Sequence, residues 1–537
     1  MATTSTLSKT AAAPFRLALR EPLRVLGAGL LLGAAFDLLF WGQRLGLSVF
    51  LFVLLLAGAL GVTGRFEQRP VRPVTLWLLL PLFGSAFFIG VRSNGWLTFL
   101  NVATLLFLLT LLAFYYAAGD WRGVPATILA LIPGWVVLQS AIDGALLVAA
   151  VEWRAPDRRR WLPLVRGLAL ALPVLLLFGG LLAAADLVFA SWLSLLLGWL
   201  RVEKVVEWSL RALLILFIGT GLAGGLAYAM RRGQTPEKTD GPLLRLNVAL
   251  GFVEATTIMA AVDALFGLFV VVQFAYLFGG AGNIAPEQFS YAEYARRGFA
   301  EIVIVSVLSL GLLLVLHQLA RRETKRQLHG FNGLGTLQVG LLLIMLVSAA
   351  QRLALYESAF GLTHRRLYSH LFMLWLGLLL LWLVVVLWRR PEQFFGGLLA
   401  CALGFVLTVN LVNPDALIAR VNVARVNDAA ENAAAEVGES AAETAGRLSV
   451  DPYTPSTGVD VYFLAGLSDD AVPAMVASLD RLSPAAREVM AAELMARRER
   501  YEGNDDEWPA FHIGRWRAER ALKLWQPPSV RSGETVH

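Results

Sequence analysis

Cysteine and charged residues are both scarce in this chain. Its 537 residues include one cysteine, Cys401, so neither an intrachain disulfide nor a cysteine metal cluster can form. Charged residues make up 16% of the sequence, whereas soluble domains carry roughly 25%. This deficit excludes an ordinary soluble domain and predicts a membrane protein.

The motifs of several enzyme classes are also missing. The sequence has no Walker A loop, no H-E-x-x-H pair and no G-x-S-x-G elbow, so enzymatic activity is the less favoured class. We expect no metal and no cofactor, because His317, His364 and His370 are isolated near span ends, where structural roles are commoner than haem ligation. The net charge of +6 comes from short basic clusters between apolar runs, which excludes a nucleic-acid partner in favour of charges that orient spans.

Long apolar runs are abundant, and about 20 such residues cross a bilayer core of roughly 30 Å. Eleven runs meet this length: 23–41, 45–63, 73–91, 96–119, 163–190, 208–230, 247–280, 300–319, 334–352, 367–388 and 393–412. We interpret the stretch 124–150, broken by Pro125, Pro133, Gly134 and Asp143-Gly144, as a re-entrant or interfacial hairpin, with a full span as the alternative. The sequence therefore predicts an all-α, polytopic integral membrane helix bundle of about 11 spans over 23–412, with the lipid bilayer as its partner.

Basic residues near span ends predict the orientation, because Lys and Arg are retained on the cytoplasmic side. We assign five segments to that side: Arg65, Arg69 and Arg72; Arg154, Arg158, Arg159 and Arg160; Arg231, Arg232 and Lys238; Arg321, Arg322, Lys325 and Arg326; Arg389 and Arg390. Both basic flanks of 124–150 lie inside only if that stretch does not cross. The result is a multi-pass cell-membrane protein with residues 1–22 cytoplasmic and the C-terminus extracytoplasmic.

The composition changes after Val412 to charged, Ala-rich sequence. We expect an Ala-rich linker over 413–457, a small extracytoplasmic helical domain over 458–526 and a disordered tail over 527–537. Four aromatic residues could anchor that domain: Trp508, Phe511, Trp516 and Trp525. A domain of about 70 residues is near the lower limit for an independent core, so we expect it to lean on the membrane part or on a protein partner.

Three acidic residues fall inside the predicted spans: Asp37, Glu254 and Asp263. An ionised side chain at that depth costs several kcal/mol unless it is paired or hydrated, so each needs an explanation. Glu254 and Asp263 point to opposite faces of an ideal helix and cannot form a pair. Asp263 is therefore either part of a proton or cation relay, or a protonated or hydrogen-bonded structural group.

Other polar residues cluster near the outer ends of the spans. The candidate ligand-binding set is Asp263, Tyr276, Arg297, Glu301, Arg352, Tyr356 and Glu357. Arg297 and Glu301 are four residues apart and share a helix face, and arginines suit carboxylate or phosphate head groups. The alternative is that these groups only fasten one span to the next.

Several motifs resemble a known family. They are Tyr276-Leu277-Phe278-Gly279-Gly280, YAEYARRGFAE from Tyr291, Leu355-Tyr356-Glu357, Gly361-Leu362-Thr363, Arg366-Leu367-Tyr368, Asn413-Pro414-Asp415-Ala416 and Ser468-Asp469-Asp470-Ala471-Val472-Pro473-Ala474. As a set they resemble the bacterial membrane family described as domain of unknown function 4173, over roughly Thr220 to Trp525, with 427–457 as an insertion. Ala300 departs from the second aromatic residue expected after Phe299. The resemblance implies a bacterial, polytopic helical protein of the inner membrane and carries over no catalytic residue.

Three functions remain open at this point. The leading hypothesis is a membrane-embedded binding or transport protein for a small anionic or amphiphilic ligand. The second is an accessory or assembly protein whose C-terminal domain docks a partner, and the third is a lipid-processing membrane enzyme.

Overall fold

The computed structural model describes residues 19–69, 73–116, 131–150, 202–231, 250–278, 299–389, 393–437, 460–503 and 508–526, with isolated positions between 167 and 192. All regular secondary structure in these ranges is helical. Their one β-type contact is an isolated bridge between Leu250 and Ala320. The predicted all-α class is confirmed.

The described membrane part is a series of helices that follow the predicted spans. They are α1 (Pro22–Phe40), α2 (Leu47–Phe66), α3 (Pro73–Leu76), α4 (Leu79–Ile89), α5 (Gly95–Tyr115), α6 (Ile132–Ala150), α7 (Val202–Arg231), α8 (Phe252–Phe278), α9 (Phe299–Leu319), α10 (Lys325–Phe360), α11 (His364–Arg389) and α12 (Phe394–Val412). All but α3 and α4 are long and apolar enough to cross a membrane, which gives ten candidate spans in the described residues. The predicted span 73–91 is split between α3 and α4, and the predicted span 163–190 lies outside the described residues except for isolated positions.

The hairpin expected in 124–150 is wrong for the residues that the structure describes. Residues 132–150 form one continuous helix, α6, which favours the full-span alternative. Pro133 does not break this helix, because it is the second helical residue. A backbone N–H at that position would have no acceptor within the helix. A full span at α6 removes the argument for assigning Arg154, Arg158, Arg159 and Arg160 to the cytoplasmic side. These four residues lie outside the described residues.

Helix α7 packs closely between α1 and α6 because glycines remove side chains from both contacts. A Cβ atom on Gly29 of α1 would lie 2.4 Å from the Cβ of Ala223, and one on Gly224 of α7 would lie 1.8 Å from the carbonyl oxygen of Ser140 in α6. Such close backbone approach is how membrane helices gain packing energy in a solvent as apolar as their own side chains. The contacts run antiparallel, so α1 and α6 point in the same direction through the bundle.

Two ion pairs fasten the same three helices. Arg211 of α7 donates from Nη2 to Oδ2 of Asp37 in α1 at 2.6 Å. Arg231 of α7 lies 3.1 Å from Asp143 of α6, whose side chain is fully buried. Asp37 is therefore a paired structural acid. Asp143, taken from the sequence as part of a helix break, is a second one.

The C-terminal part continues directly from the last span. Its helices are α13 (Pro414–Val437), α14 (Val461–Ala465), α15 (Val472–Ser478), α16 (Pro484–Glu502) and α17 (Ile513–Leu524), with 3₁₀ turns at Asp469–Ala471, Leu479–Arg481 and Trp508–Ala510. The first half of the predicted linker is thus helical. Leu362 and Leu367 of the membrane part share one apolar core with Ile418, Val461 and Leu494, so the C-terminal helices are seated on the bundle. We call the bundle surface beneath them, at residues 41–46, 90–94 and 361–363, the tail face.

The α6–α7 contact makes a prediction about two glycines of one helix. Gly224→Ala should destabilise the protein by about 2 kcal/mol or more, because its Cβ collides with the α6 backbone. Gly221→Ala is the matched control, since no atom lies within 4 Å of its Cβ and both changes gain the same helix propensity. Melting temperatures in detergent test this, and equal values for the two variants would contradict the packing described.

Candidate functional site

A buried carboxylate, Asp415, lies against the tail face, in contact with Asn94. Helix α12 ends at Val412, and Asn413 adopts a left-handed conformation with φ of 52°. Pro414 then begins α13 at the first helical position, where its fixed φ and missing N–H are tolerated. This sharp turn brings Asp415 into the first turn of α13, where the positive end of the helix dipole favours a negative charge.

Asp415 accepts hydrogen bonds from three different parts of the chain. Asn94, just before α5, donates from Nδ2 at 3.1 and 3.0 Å to the two carboxylate oxygens. His364, the first residue of α11, contacts Oδ1 through Nε2. Ser468 donates to Oδ2 from its backbone N–H at 3.2 Å and from its hydroxyl. We call these four residues the Asp415 hub.

A second polar layer surrounds the hub. The backbone N–H of Ser93 donates to Oδ2 of Asp470 at 2.8 Å, and the N–H of Asp470 donates to Oγ of Ser93 at 2.9 Å. Arg92 donates from Nε to the carbonyl oxygen of Asn410 at 2.7 Å. Asn410 and Asn101, both fully buried, exchange two side-chain hydrogen bonds of 2.9 Å. The helix ends, the last span and the C-terminal part are therefore joined by one hydrogen-bond network.

The two acids of this network differ in pKa. Burial alone would raise the pKa of Asp415, but hydrogen bonds from His364, Ser468 and Asn94 lower it below its usual value. Burial raises the pKa of Asp470 to about 6, although the Arg92 charge acts in the opposite direction. Asp415 is thus the permanent negative charge of the pair.

Residues 511–513, which we call the wedge, bind the C-terminal part to the start of α2 and the end of α4. The N–H of Leu47 donates to the carbonyl oxygen of Phe511 at 2.8 Å, and the N–H of Ile513 donates to that of Gly90 at 2.7 Å. His512, between them, accepts at Nδ1 from the N–H of Arg515 at 3.3 Å and so caps α17. Burial, with the nearby Arg515 charge, lowers the pKa of His512 to about 4, so the imidazole is neutral at pH 7.

A groove opens beside the hub, between the tail-face ends of α5, α9 and α11. Its volume is about 820 Å³. Asn94 and His364 of the hub reach its tail-face end, together with Arg365, Tyr368 and Ser369. The remainder is apolar and includes Leu100, Val303, Ile304, Phe372 and Phe405. The groove therefore has a polar end at the tail face and an apolar body between spans.

In the described ranges, no group of three or more His, Cys, Asp or Glu side chains could hold a metal ion.

The structure divides the candidate ligand-binding residues into separate groups. Arg297 and the side chain of Tyr276 lie outside the described residues, and Glu301 is exposed in the first turn of α9. At the tail-face end of α10, Arg352 is half-buried, Tyr356 stacks under the guanidinium of Arg366 at 4.3 Å, and Glu357 lies 3.5 Å from His370. These last two contacts fasten α10 to α11, as the structural alternative expects.

Asp263 is far from those groups. Met259 of α8 lies at Gly335 of α10, and Phe252 lies at Gly330, so the two helices run parallel. Asp263 lies about one turn beyond the Met259 contact and Arg352 nearly five turns beyond it, which places their levels about 20 Å apart. The structure does not bring Asp263 to the end of α10.

The third predicted acid, Glu254, lies at the start of α8. It is exposed, and its Oε2 accepts from the N–H of Gly251 at 2.8 Å, as expected of an acid that satisfies a helix N-terminus.

The Asp415 hub was missed at the level of sequence. Asn413-Pro414-Asp415-Ala416 and the segment from Ser468 were noted as motifs, but no function was given to their polar residues. The signal was an acid directly after Pro at the end of a span, a position that supports a helix N-terminus and a buried hydrogen-bond acceptor at once.

From the hub we predict that the stability of the C-terminal part depends on the charge of Asp415. Asp415→Asn replaces an acceptor by a donor among several donors, and should cost about 3 kcal/mol of stability. We expect a lower melting temperature and faster proteolysis of residues 460–526. Asp480→Asn, at an exposed position in the same part, is the control, and equal behaviour of the two variants would refute the role of the hub.

His512 predicts a pH dependence. Its folded pKa is below its unfolded value of 6.5, so its contribution to stability is present above pH 6.5 and is lost as the pH falls towards 4. His512→Asn keeps a helix-capping oxygen without the titration. Between pH 7 and pH 4 the wild type should lose about 3 kcal/mol relative to this variant. Parallel pH profiles of the wild type and His512→Asn would contradict the prediction.

Comparison with known families identifies the chain's relationship. The family model described as Domain of unknown function (DUF4153) matches residues 76–478. The resemblance to domain of unknown function 4173 is therefore wrong, and the match begins well before Thr220. No curated protein and no solved structure matches the chain. The matched region contains all four residues of the Asp415 hub and covers most of the sequence, so the chain belongs to the DUF4153 family of unknown function.

Proposed function

We propose that this membrane protein binds an amphiphile with an anionic head group in the groove beside the Asp415 hub. The observation that carries this proposal is the division of the groove into a polar end at the tail face and an apolar body between spans. An amphiphile lying in one leaflet has the same division at the same depth. The volume of about 820 Å³ is within the range of pockets that hold small ligands.

The polar end offers donors of suitable chemistry. Arg365 is exposed there, and a guanidinium binds phosphate or carboxylate through two parallel hydrogen bonds. Ser369 adds a hydroxyl. Tyr368 also lines this end of the groove, although its hydroxyl is buried beneath the surface. Asp415 holds His364 in place through Nε2, which fixes the imidazole at the groove edge.

The apolar body is open to lipid. Ile304 of α9 and Phe372 of α11 line it and are 56% and 39% exposed, on helices long enough to cross the membrane. An acyl chain could enter sideways from the bilayer and gain about 0.8 kcal/mol for each methylene it buries. Glu301 lies in the first turn of α9, three residues before the groove residue Ile304, so in this proposal it borders the ligand instead of forming a separate pocket.

In this proposal the tail face is extracytoplasmic, and the protein is in the cell membrane. The described basic clusters Arg65 and Arg69, Arg321 and Arg322, and Arg389 lie at helix ends on the opposite face, which the positive-inside rule assigns to the cytoplasm. The ligand then comes from the outer leaflet.

Filling the groove tests the binding proposal. Ile304→Trp should reduce the anionic phospholipid that co-purifies with the protein, measured by native mass spectrometry, by roughly tenfold, because the indole occupies the chain path. Val315→Trp is the matched control: it lies 11 residues along α9, on nearly the same face, is 50% exposed and does not line the groove. Arg365→Gln should reduce the preference for anionic over neutral lipid. Unchanged lipid occupancy in Ile304→Trp would refute the proposal.

A further inference from the structure

Three buried polar side chains lie on three neighbouring spans. Asp263 of α8 is 5% exposed, Ser309 of α9 is 5% exposed and Gln338 of α10 is 1% exposed. Neither the groove nor the Asp415 hub includes them. Polar groups at this depth are expensive, and where they occur they often mark an ion path.

The three residues lie at one level of the bundle. Met259 of α8 and Leu313 of α9 both meet α10 at Gly335, whose added Cβ would lie 3.6 Å from Met259 Cε and 3.4 Å from Leu313 Cδ1. These three positions define a common contact between the helices.

Each polar residue lies about one helical turn from that contact, in the direction of the tail face. Asp263 follows Met259 by four residues, and Gln338 follows Gly335 by three. Ser309 precedes Leu313 by four residues on α9, which runs in the opposite direction. Residues three or four apart share a helix face, so each of the three lies on the side of its helix that faces the contact at Gly335.

The hydrogen-bonding capacity of this cluster is largely unused. Both carboxylate oxygens of Asp263, and both the oxygen and the nitrogen of the Gln338 amide, are buried without a hydrogen-bond partner among the described residues. The acids of α1 and α6 differ sharply, since Asp37 and Asp143 each pair with an arginine. A buried, unpaired carboxylate is strongly destabilising unless a proton or cation neutralises it.

We propose that Asp263, Gln338 and Ser309 form a binding site for a small monovalent cation, with Na⁺ as the probe that fits. Carboxylate, amide and hydroxyl oxygens are the hard donors that such cations prefer. One carboxylate neutralises one positive charge, whereas a divalent cation would leave an uncompensated charge between apolar helices. The site is independent of the amphiphile groove and gives Asp263 the cation-binding role that the sequence left open.

Cation-dependent stability tests this site directly. The purified full-length protein should melt at least about 3 °C higher in 100 mM NaCl than in 100 mM choline chloride at pH 8, because a ligand that binds only the folded state raises the melting temperature. LiCl should give part of the shift. Binding of ²²Na⁺ to the same preparation should saturate, with an upper limit of one ion per chain.

Two variants separate a cation site from a structural role. Asp263→Asn should abolish both the Na⁺ shift and ²²Na⁺ binding while melting in choline no lower than the wild type, because the unpaired charge is gone. Glu254→Gln, which removes an exposed acid from the same helix, should keep both signals. Should Asp263→Asn fail to fold, Gln338→Leu provides the test, with at least tenfold weaker half-saturation by Na⁺.

The proposal is overturned by identical wild-type melting in Na⁺ and choline, or by a Na⁺ shift that survives in Asp263→Asn. Stability that responds to pH through Asp263 but not to Na⁺ would also overturn it, since the cluster would then bind a proton only.

Discussion

The burial of the Asp415 charge constrains most of the tail face. A carboxylate that is fully buried must be surrounded by donors, and here they come from the starts of α5 and α11 and from the segment before α15. Satisfying one charge therefore fixes the relative positions of two spans and the C-terminal helices. The polar end of the groove follows from the same constraint, because Asn94 and His364 serve both.

Acids inside the bundle fall into two kinds. Asp37 and Asp143 pair with arginines of α7, where glycine contacts have already brought the helices together, and these pairs hold the packing in register. Asp263 has no such partner among the described residues, although it is as deeply buried as Asp37. Removing one member of an ion pair would leave the charge of its partner unpaired in the apolar interior. Neutralising Asp263 would instead remove an unpaired charge. The ion pairs of Asp37 and Asp143 therefore stabilise the helix contacts, whereas the unpaired charge of Asp263 lowers the stability of the bundle.

The sequence predicted the spans well, because about 20 apolar residues have few alternatives to a membrane helix. It failed at α6, where Pro133 was counted as a break although a proline in the first turn is harmless. The predicted pocket was built from residues that share a helix face, such as Arg297 and Glu301. Sequence periodicity shows which residues share a face, but it does not show which helix packs against that face. Asp415 and Asn94 are 321 positions apart, so no local pattern could have joined them.

The wedge at residues 511–513 has a consequence for how the protein is made. Its partners, Leu47 and Gly90, belong to the first hundred residues and leave the ribosome more than 400 residues before it does. The N–H of Leu47 and the carbonyl oxygen of Gly90 must therefore lack these partners until residues 511–513 have been synthesised. Assembly of the tail face therefore follows the synthesis of residue 513, and a product truncated before residue 511 leaves the start of α2 and the end of α4 without these backbone partners.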